Sequence, residues 1–298
     1  MNLNDKSFDV ARKRGYLVNA NEREFKYTFV GAWLSKHPDR VSLLDTLKDI
    51  VGGVPTWEDI TDRNMKELKE ALEKRMCANS VRSYFLRLKA ILNDNKMEVS
   101  IPSTRYSAIL KKKEEPSQGT YLTEKEIEAF ENVQTYTENE AYTKAVFLIS
   151  CYTGCRHSDA MNIEAENIHN GVLSYVSQKT RIESQLPAHK NIYKYLGKFP
   201  TDYAIGDNVL NDNIRSLAER AGINERIKVF KAGKAIIAPK YELLSSHSAR
   251  RSFCTNLFMR GVDILTISRL AGHSSTQMTQ RYIVAQKGLS ENAMAFFN

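Results

Sequence analysis

SHSARRSFCTNLFMRGVDILTISRLAGHSSTQMTQRYI, residues 246–283, carries the densest chemical pattern in the chain. His247 and Arg250 stand at i and i+3, and Phe253, Leu257 and Phe258 continue an apolar stripe after them. Histidine and arginine are therefore expected on one helix face, within reach of one ligand. Ile264, Ile267 and Leu270 mark a second helix. Gly272 is placed to end it in the left-handed conformation, leaving His273 on the turn. Either Ser274 or Ser275 can cap a third helix, 276–283, which carries Tyr282 nine residues beyond His273. A basic pair, a second histidine and a tyrosine so spaced fit a site that handles phosphate.

The bulk composition bounds what surrounds this stretch. With 298 residues, 42% hydrophobic and 26% charged, the chain is long enough for two domains with real cores. MNLNDKSFDV at the start is polar, and the longest apolar run, near Ala145–Ile149, is far below the roughly 18 residues of a membrane span. No membrane association is expected, and the protein reads as cytoplasmic, nucleoid-associated once DNA is its partner. Cys77, Cys151, Cys155 and Cys254, without a secretory signal, read as reduced thiols. The spacing of Cys151, Cys155 and His157 is not a usual zinc pattern and no second ligand pair follows, so no metal is expected.

A net charge of +8 points to a polyanionic partner. Residues 1–113 hold 22 Lys+Arg against 15 Asp+Glu, while residues 114–298 are nearly balanced, so the first half is the expected grip on DNA. Residues 1–20, with Arg12-Lys13-Arg14 and no periodicity, read as a short basic arm or a frayed terminus. Helical stripes follow over 22–37, 41–50, 62–76 and 79–95, the last with Arg82, Arg87 and Lys89 outside or on its flanks. Residues 21–101 thus form a helical bundle. Residues 102–119 have linker composition, including Lys111-Lys112-Lys113, a run that is usually a solvated tether and that a linker crossing DNA could use against phosphates. Arg82, Arg87, Lys89 and these three lysines are the candidate DNA-binding set.

The second domain, 120–298, opens with a capping box in which Thr123 pairs with Glu126. An apolar helix over 141–152 leads directly into Thr153-Gly154-Cys155-Arg156-His157-Ser158-Asp159, so Arg156 begins a new element. Asp159 can orient a guanidinium or simply cap a helix. GVLSYVSQKTRIESQLP, 171–187, alternates as a hairpin with Lys179 at or near its turn, and two strand-like runs around Gly233 read as another.

With these pieces in order, the chain resembles the tyrosine recombinase (phage integrase) family. The family's signature is H-x-x-R, G-H and a tyrosine nine residues later, preceded by an arginine in T-G-x-R-x-S-[ED] and a hairpin lysine. Each piece taken alone is commonly surface charge or packing. It is their joint order that carries the resemblance. Two departures are small: Ala271 precedes Gly272-His273 where leucine is more frequent, and Asp159 stands where glutamate is commoner. The resemblance implies a mainly α fold with a small β-sheet, in which an N-terminal, SAM-like core-binding bundle precedes a mixed α+β catalytic domain. It further implies a site-specific DNA recombinase of the integrase type, working without cofactor or metal through a 3′-phosphotyrosyl intermediate on double-stranded DNA.

The expected catalytic set is Arg156, Lys179, His247, Arg250, His273 and Tyr282, with Asp159 behind it. In these roles Tyr282 attacks and Arg156 and Arg250 hold the nonbridging oxygens. His247 is a candidate proton acceptor. By the resemblance Lys179 protonates the departing 5′-oxygen and His273 donates to the phosphate. Leu289, Met294, Phe296 and Phe297 after the tyrosine form an apolar tail, expected to pass to a neighbouring protomer in a homotetramer on DNA, with docking on its own chain as the alternative. Two other functions use the same residues: a type IB topoisomerase that only relaxes DNA, and a catalytically idle DNA-binding regulator.

Overall fold

A computed structural model describes residues 5–17, 22–115, 119–231 and 234–283. The chain divides into two compact units, Met1–Pro116 and Ser117–Asn298, and is mainly helical with two small antiparallel sheets. Among the described residues no helix is long and apolar enough to cross a membrane.

The first unit contains α1 (Asp5–Lys13), α2 (Glu22–Phe25), α3 (Phe29–Lys36), α4 (Ser42–Val51), α5 (Asp62–Arg75), α6 (Ala78–Asn95) and α7 (Tyr106–Ile109). Its core is built from Phe25, Phe29, Trp33, Leu47, Leu68 and Phe85, each essentially without solvent exposure. Burial of each such side chain stabilises the unit by about 1.5–3 kcal/mol. The single helix expected over 22–37 is broken. Thr28 donates its hydroxyl to the Phe25 carbonyl and accepts from the Gly31 amide, which stops one helix and caps the next.

Two expectations from composition are corrected here. The described residues 5–17 do not form an arm, because α1 packs on α3, Ala11 and Tyr16 are buried, and Ser7 donates to the Leu34 carbonyl at 2.9 Å. Nor are the described residues of 102–119 a tether throughout. Leu110 is fully buried, α7 packs on α5, and Asn79 holds Glu115 through two backbone hydrogen bonds. Apolar residues scattered among lysines anchor this segment, which composition alone had concealed.

The second unit begins its regular structure with α8 (Glu124–Asn132), whose Thr123–Glu126 capping box forms as expected. At its centre lies α9 (Glu138–Thr153), buried on nearly every side between α11 and α12. A short α10 (His157–Ala160) follows, then β1 (Ile168–His169), β2 (Val172–Val176) and β3 (Glu183–Pro187) in one antiparallel sheet of order β1-β2-β3. Next come α11 (Asp207–Arg220) and the two-stranded β4 (Arg226–Lys231) and β5 (Lys234–Pro239). The last elements are α12 (Ser246–Met259), α13 (Ile264–Leu270) and α14 (Thr276–Tyr282). A short 3-10 turn, Ile192–Lys194, precedes α11. Leu289, Met294, Phe296 and Phe297 lie outside the described residues.

Candidate active site

Three chain turns bring the site together. The first is the C-terminal end of α9, where Gly154 adopts φ +71° and a Cβ there would lie 2.4 Å from the Phe253 ring. Only glycine combines that backbone with that contact. Its carbonyl, left over at the helix end, accepts from Arg250 Nη1 at 2.6 Å. The second is the end of α13, where Gly272 has φ +64° and a Cβ would meet Ser184 Oγ of β3 at 2.4 Å. That close approach seats His273 against the sheet. The third is the start of α14, which Ser275, not Ser274, caps through the Met278 amide.

Arg250 is 1% exposed and has no carboxylate partner among the described residues. Its Nε donates to His273 Nε2 at 3.0 Å, and its Nη2 is buried without a hydrogen-bond partner. Because a guanidinium only donates, His273 Nε2 must be the bare acceptor, and the ring proton sits on Nδ1, 2.8 Å from Thr279 Oγ1. Both nitrogens are thereby engaged inside the protein. The expectation has His273 donating to a phosphate; here its Nε2 instead accepts from Arg250. Burial first, and the charges of Arg250 and Arg156 second, lower the His273 pKa from 6.5 to about 3.

That shift has a measurable sign. The unfolded ring takes up a proton near pH 6.5, whereas the folded ring resists it down to about pH 3. Its contribution to stability is therefore complete above pH 6.5 and is lost as pH falls through the interval below. Between pH 7 and 5 the wild-type unfolding free energy is expected to fall by up to about 1.4 kcal/mol per pH unit for this one proton, and His273→Gln to show a shallower fall. Denaturant melts of both proteins across that range measure it. Identical slopes would show that His273 is not held neutral.

Tyr282 ends α14 half-buried in a ring of cationic and aromatic groups. Its ring stacks on His273 at 4.9 Å between centroids, the Cζ atoms of Arg250 and Arg251 each lie 5.3 Å from it, and the His247 ring is 6.5 Å away. His247 itself sits in the first turn of α12 and faces outward. Its pKa is lowered, foremost by desolvation and then by His157, Arg251, Arg250 and Arg156, which favours the neutral, proton-accepting ring.

Arg156, the N-cap of α10, donates to Ser177 Oγ at 2.9 Å and lies 3.9 Å from Asp159. Asp159 is 3% exposed and accepts from Ser177 Oγ at 2.9 Å and from the Gln178 amide at 3.0 Å. One carboxylate thus orients the guanidinium, through Ser177, and fixes the start of the turn between β2 and β3. No hydrogen bond from Asp159 to a site histidine occurs among the described residues. Lys179 stands exposed on that turn, and among the described residues no hydrogen bond or ion pair joins it to the others. Ser177, Thr279, Arg251 and the Gly154 carbonyl were not singled out from sequence. Their signal was proximity alone: two residues before Lys179, three before Tyr282, next to Arg250, and inside the T-G-C-R turn.

A second basic feature lies in the first unit. Arg82, Lys89, Lys111, Lys112 and Lys113, with Phe85, Leu86 and Leu110, line a cavity of about 490 Å³. Arg82 pairs with Glu114 at 3.5 Å and Lys112 with Glu73 at 3.0 Å. Arg87 is absent from this lining; it bonds to Ser83 one turn back.

Comparison with known proteins follows the same lines. The model of the phage integrase family matches residues 120–288. The tyrosine recombinase XerC of Rickettsia bellii (strain RML369-C) is 25% identical over 269 residues, covering 84% of this chain and 84% of that protein. The Tn1549 transposon integrase in complex with a circular intermediate DNA superposes with a TM-score of 0.61 at 15% identity, over 98% of this chain and 99% of that one. A lambda integrase tetramer bound to a Holliday junction gives a TM-score of 0.61 at 15% identity, over 92% and 80%.

Proposed function

The chain belongs to the phage integrase family, and from that membership we propose that it is a site-specific recombinase that cuts and rejoins DNA through Tyr282. The observation that carries the chemistry is the buried Arg250 guanidinium, which among the described residues has no carboxylate partner and an Nη2 without a hydrogen-bond partner. A buried cationic donor left unpaired costs on the order of 1–3 kcal/mol or more. A site that keeps one beside a tyrosine suits an anionic ligand, and a phosphodiester is the anion a tyrosine can attack.

In this reading Tyr282 Oη bonds to phosphorus and the P–O5′ bond breaks, giving a 3′-phosphotyrosyl linkage and a 5′-oxygen that takes up a proton. Arg250 and Arg156 bond to the nonbridging oxygens, whose charge grows in the transition state. Neutral His247 accepts the phenolic proton. His273 acts indirectly, holding Arg250 Nε and stacking under the tyrosine, while Thr279 fixes its tautomer. Lys179 is the proton donor to the 5′-oxygen that the family resemblance implies, carried on a turn that Asp159 anchors. No bond energy is lost to solvent, so a second strand's 5′-hydroxyl can reverse the step. A DNA duplex nicked near the cleavage position, which loses its 5′-end by diffusion, should accumulate a covalent protein–DNA adduct. A regulator without catalytic activity yields none, and a protein that only relaxes supercoils exchanges no strands between duplexes.

The cavity lined by Arg82, Lys89 and Lys111–Lys113 supports a role for the first unit in gripping phosphates, as does the positive balance of that half of the chain. The fold shared with the tetrameric lambda integrase supports assembly as a homotetramer on DNA, with the apolar tail after Tyr282 passed between protomers. Truncation after Gln286 is expected to abolish synapsis while one half-site is still bound. Synaptic complexes formed by the truncated protein at wild-type concentrations would refute the exchange.

A further inference from the structure

Arg251, next in sequence to the buried Arg250, makes contacts that none of the roles above require. Its Nη1 donates to the Arg281 carbonyl at 2.6 Å, closing the end of α14 one residue before the tyrosine. Its Cζ lies 5.3 Å from the Tyr282 ring centroid, as does that of Arg250. Another bond from α12 to the end of α14, from Thr255 Oγ1 to the Tyr282 carbonyl, is 3.4 Å long. The Arg251 bond is the shorter of these two ties between α12 and the end of the helix that presents Tyr282.

The guanidinium has a third neighbour. A Cβ placed on Gly119 would lie 2.2 Å from Arg251 Nε, 2.6 Å from Cζ and 2.8 Å from Cδ, so Arg251 lies across the backbone where the chain enters the second unit. Just beyond, Leu122 is tied to α12 on both sides, its amide to Ser252 Oγ at 2.8 Å and its carbonyl to Asn256 Nδ2 at 3.0 Å. The entry segment, α12 and the end of α14 thus adjoin, with the Arg251 side chain between the first and the last. A side chain longer than hydrogen at position 119 would have to displace it.

We propose that Arg251 is a positioning residue for the nucleophile, clamping the end of α14 to α12, and that the entry segment at Gly119 sets where the clamp rests. The proposal rests on reading Tyr282 as the nucleophile, and the geometry explains why an arginine is needed. The guanidinium donates to the Arg281 carbonyl through Nη1 while its Cζ lies 5.3 Å from the Tyr282 ring centroid. A lysine ammonium, one compact charge, cannot hold both contacts equally well. Displacement of the entry segment is then transmitted to the tyrosine through one side chain.

Arg251→Ala and Gly119→Ala, made separately and together in the full chain, test this. At saturating protein on a nicked substrate, each single variant is expected to slow covalent adduct formation by about tenfold to a hundredfold, the range that misplacing a reacting group by an ångström produces. The double variant should be no slower than the worse single one, because both changes remove one clamp. Arg251→Lys should fall between wild type and Arg251→Ala. Without DNA, amide exchange at 279–283 should rise in both single variants while that of α9 stays as in wild type, a readout that general destabilisation would not give. Unchanged exchange at 279–283, or rate losses that multiply in the double variant, would overturn the proposal. A wild-type protein that forms no adduct would instead overturn the recombinase reading, leaving the exchange experiment as the test of the clamp.

Discussion

Tyr282→Phe is expected to remove covalent attachment to DNA completely while leaving the fold, and binding to a duplex, as they are. The substitution deletes one oxygen, for which no hydrogen bond to another described residue is found. What holds the ring in place survives: the stack on His273 at 4.9 Å and the guanidinium carbons of Arg250 and Arg251 at 5.3 Å act on the aromatic face, which phenylalanine retains. The backbone tie from Arg251 to the Arg281 carbonyl is equally untouched. Thermal stability should therefore change by no more than about 0.5 kcal/mol. The basic groove of the first unit, if it grips phosphates as proposed, is unaltered, so half-site affinity and its salt dependence should match wild type. The loss is thus confined to bond formation, which has no substitute nucleophile at this position. Incubation of both proteins with a nicked duplex, followed by denaturing electrophoresis, reads the result. An adduct from the variant at wild-type yield would remove Tyr282 from its role and leave the cluster around it unexplained.

Much of this arrangement was legible in the sequence because local signals fix it. Gly154 and Gly272 mark left-handed helix ends whichever neighbours they find, the Thr123–Glu126 box starts α8, and alternation over 171–187 gives the hairpin. What the sequence did not show is which atoms meet across the fold. That Arg250 gives its Nε to His273 and its Nη1 to Gly154, 96 residues away, follows from three turns converging, and no residue spacing encodes it. Composition misled in two places for one reason. Runs of basic residues, Arg12–Arg14 and Lys111–Lys113, led the reading of these segments, but a few apolar side chains such as Ala11, Tyr16 and Leu110 decide the packing, and hydrophobic burial outweighs the solvation preference of neighbours that remain on the surface. The break at Thr28 was hidden similarly. Periodicity ran through it, whereas a side-chain hydroxyl competing for backbone partners ended the helix.

Arg250→Lys should lower the single-turnover cleavage rate by on the order of 10²–10³-fold, and, unlike Arg156→Lys, should also destabilise the second unit. The reason lies in how the guanidinium is divided. Nη1 satisfies the carbonyl that ends α9, Nε holds His273 in the tautomer that stacks under Tyr282, and Nη2 has no hydrogen-bond partner among the described residues, which is why it is proposed to meet the phosphate. A lysine ammonium is one compact charge and cannot serve three directions that a planar fork serves at once. Whichever partner it keeps, the others are lost. Removing a single transition-state donor costs about 10²–10³ in rate, and leaving the Gly154 carbonyl or the His273 nitrogen unsatisfied costs a further 1–3 kcal/mol or so of stability. Arg156 differs because its protein contacts, Ser177 Oγ and the more distant Asp159, lie to one side, where a lysine can still reach one of them. Its variant should lose rate with little change in melting. Measuring adduct formation at saturating protein together with thermal unfolding separates the two. If Arg250→Lys cleaves within about tenfold of wild type, or if its rate falls only in proportion to its DNA affinity, then the buried guanidinium merely packs the core of the site and does not stabilise the transferring phosphate.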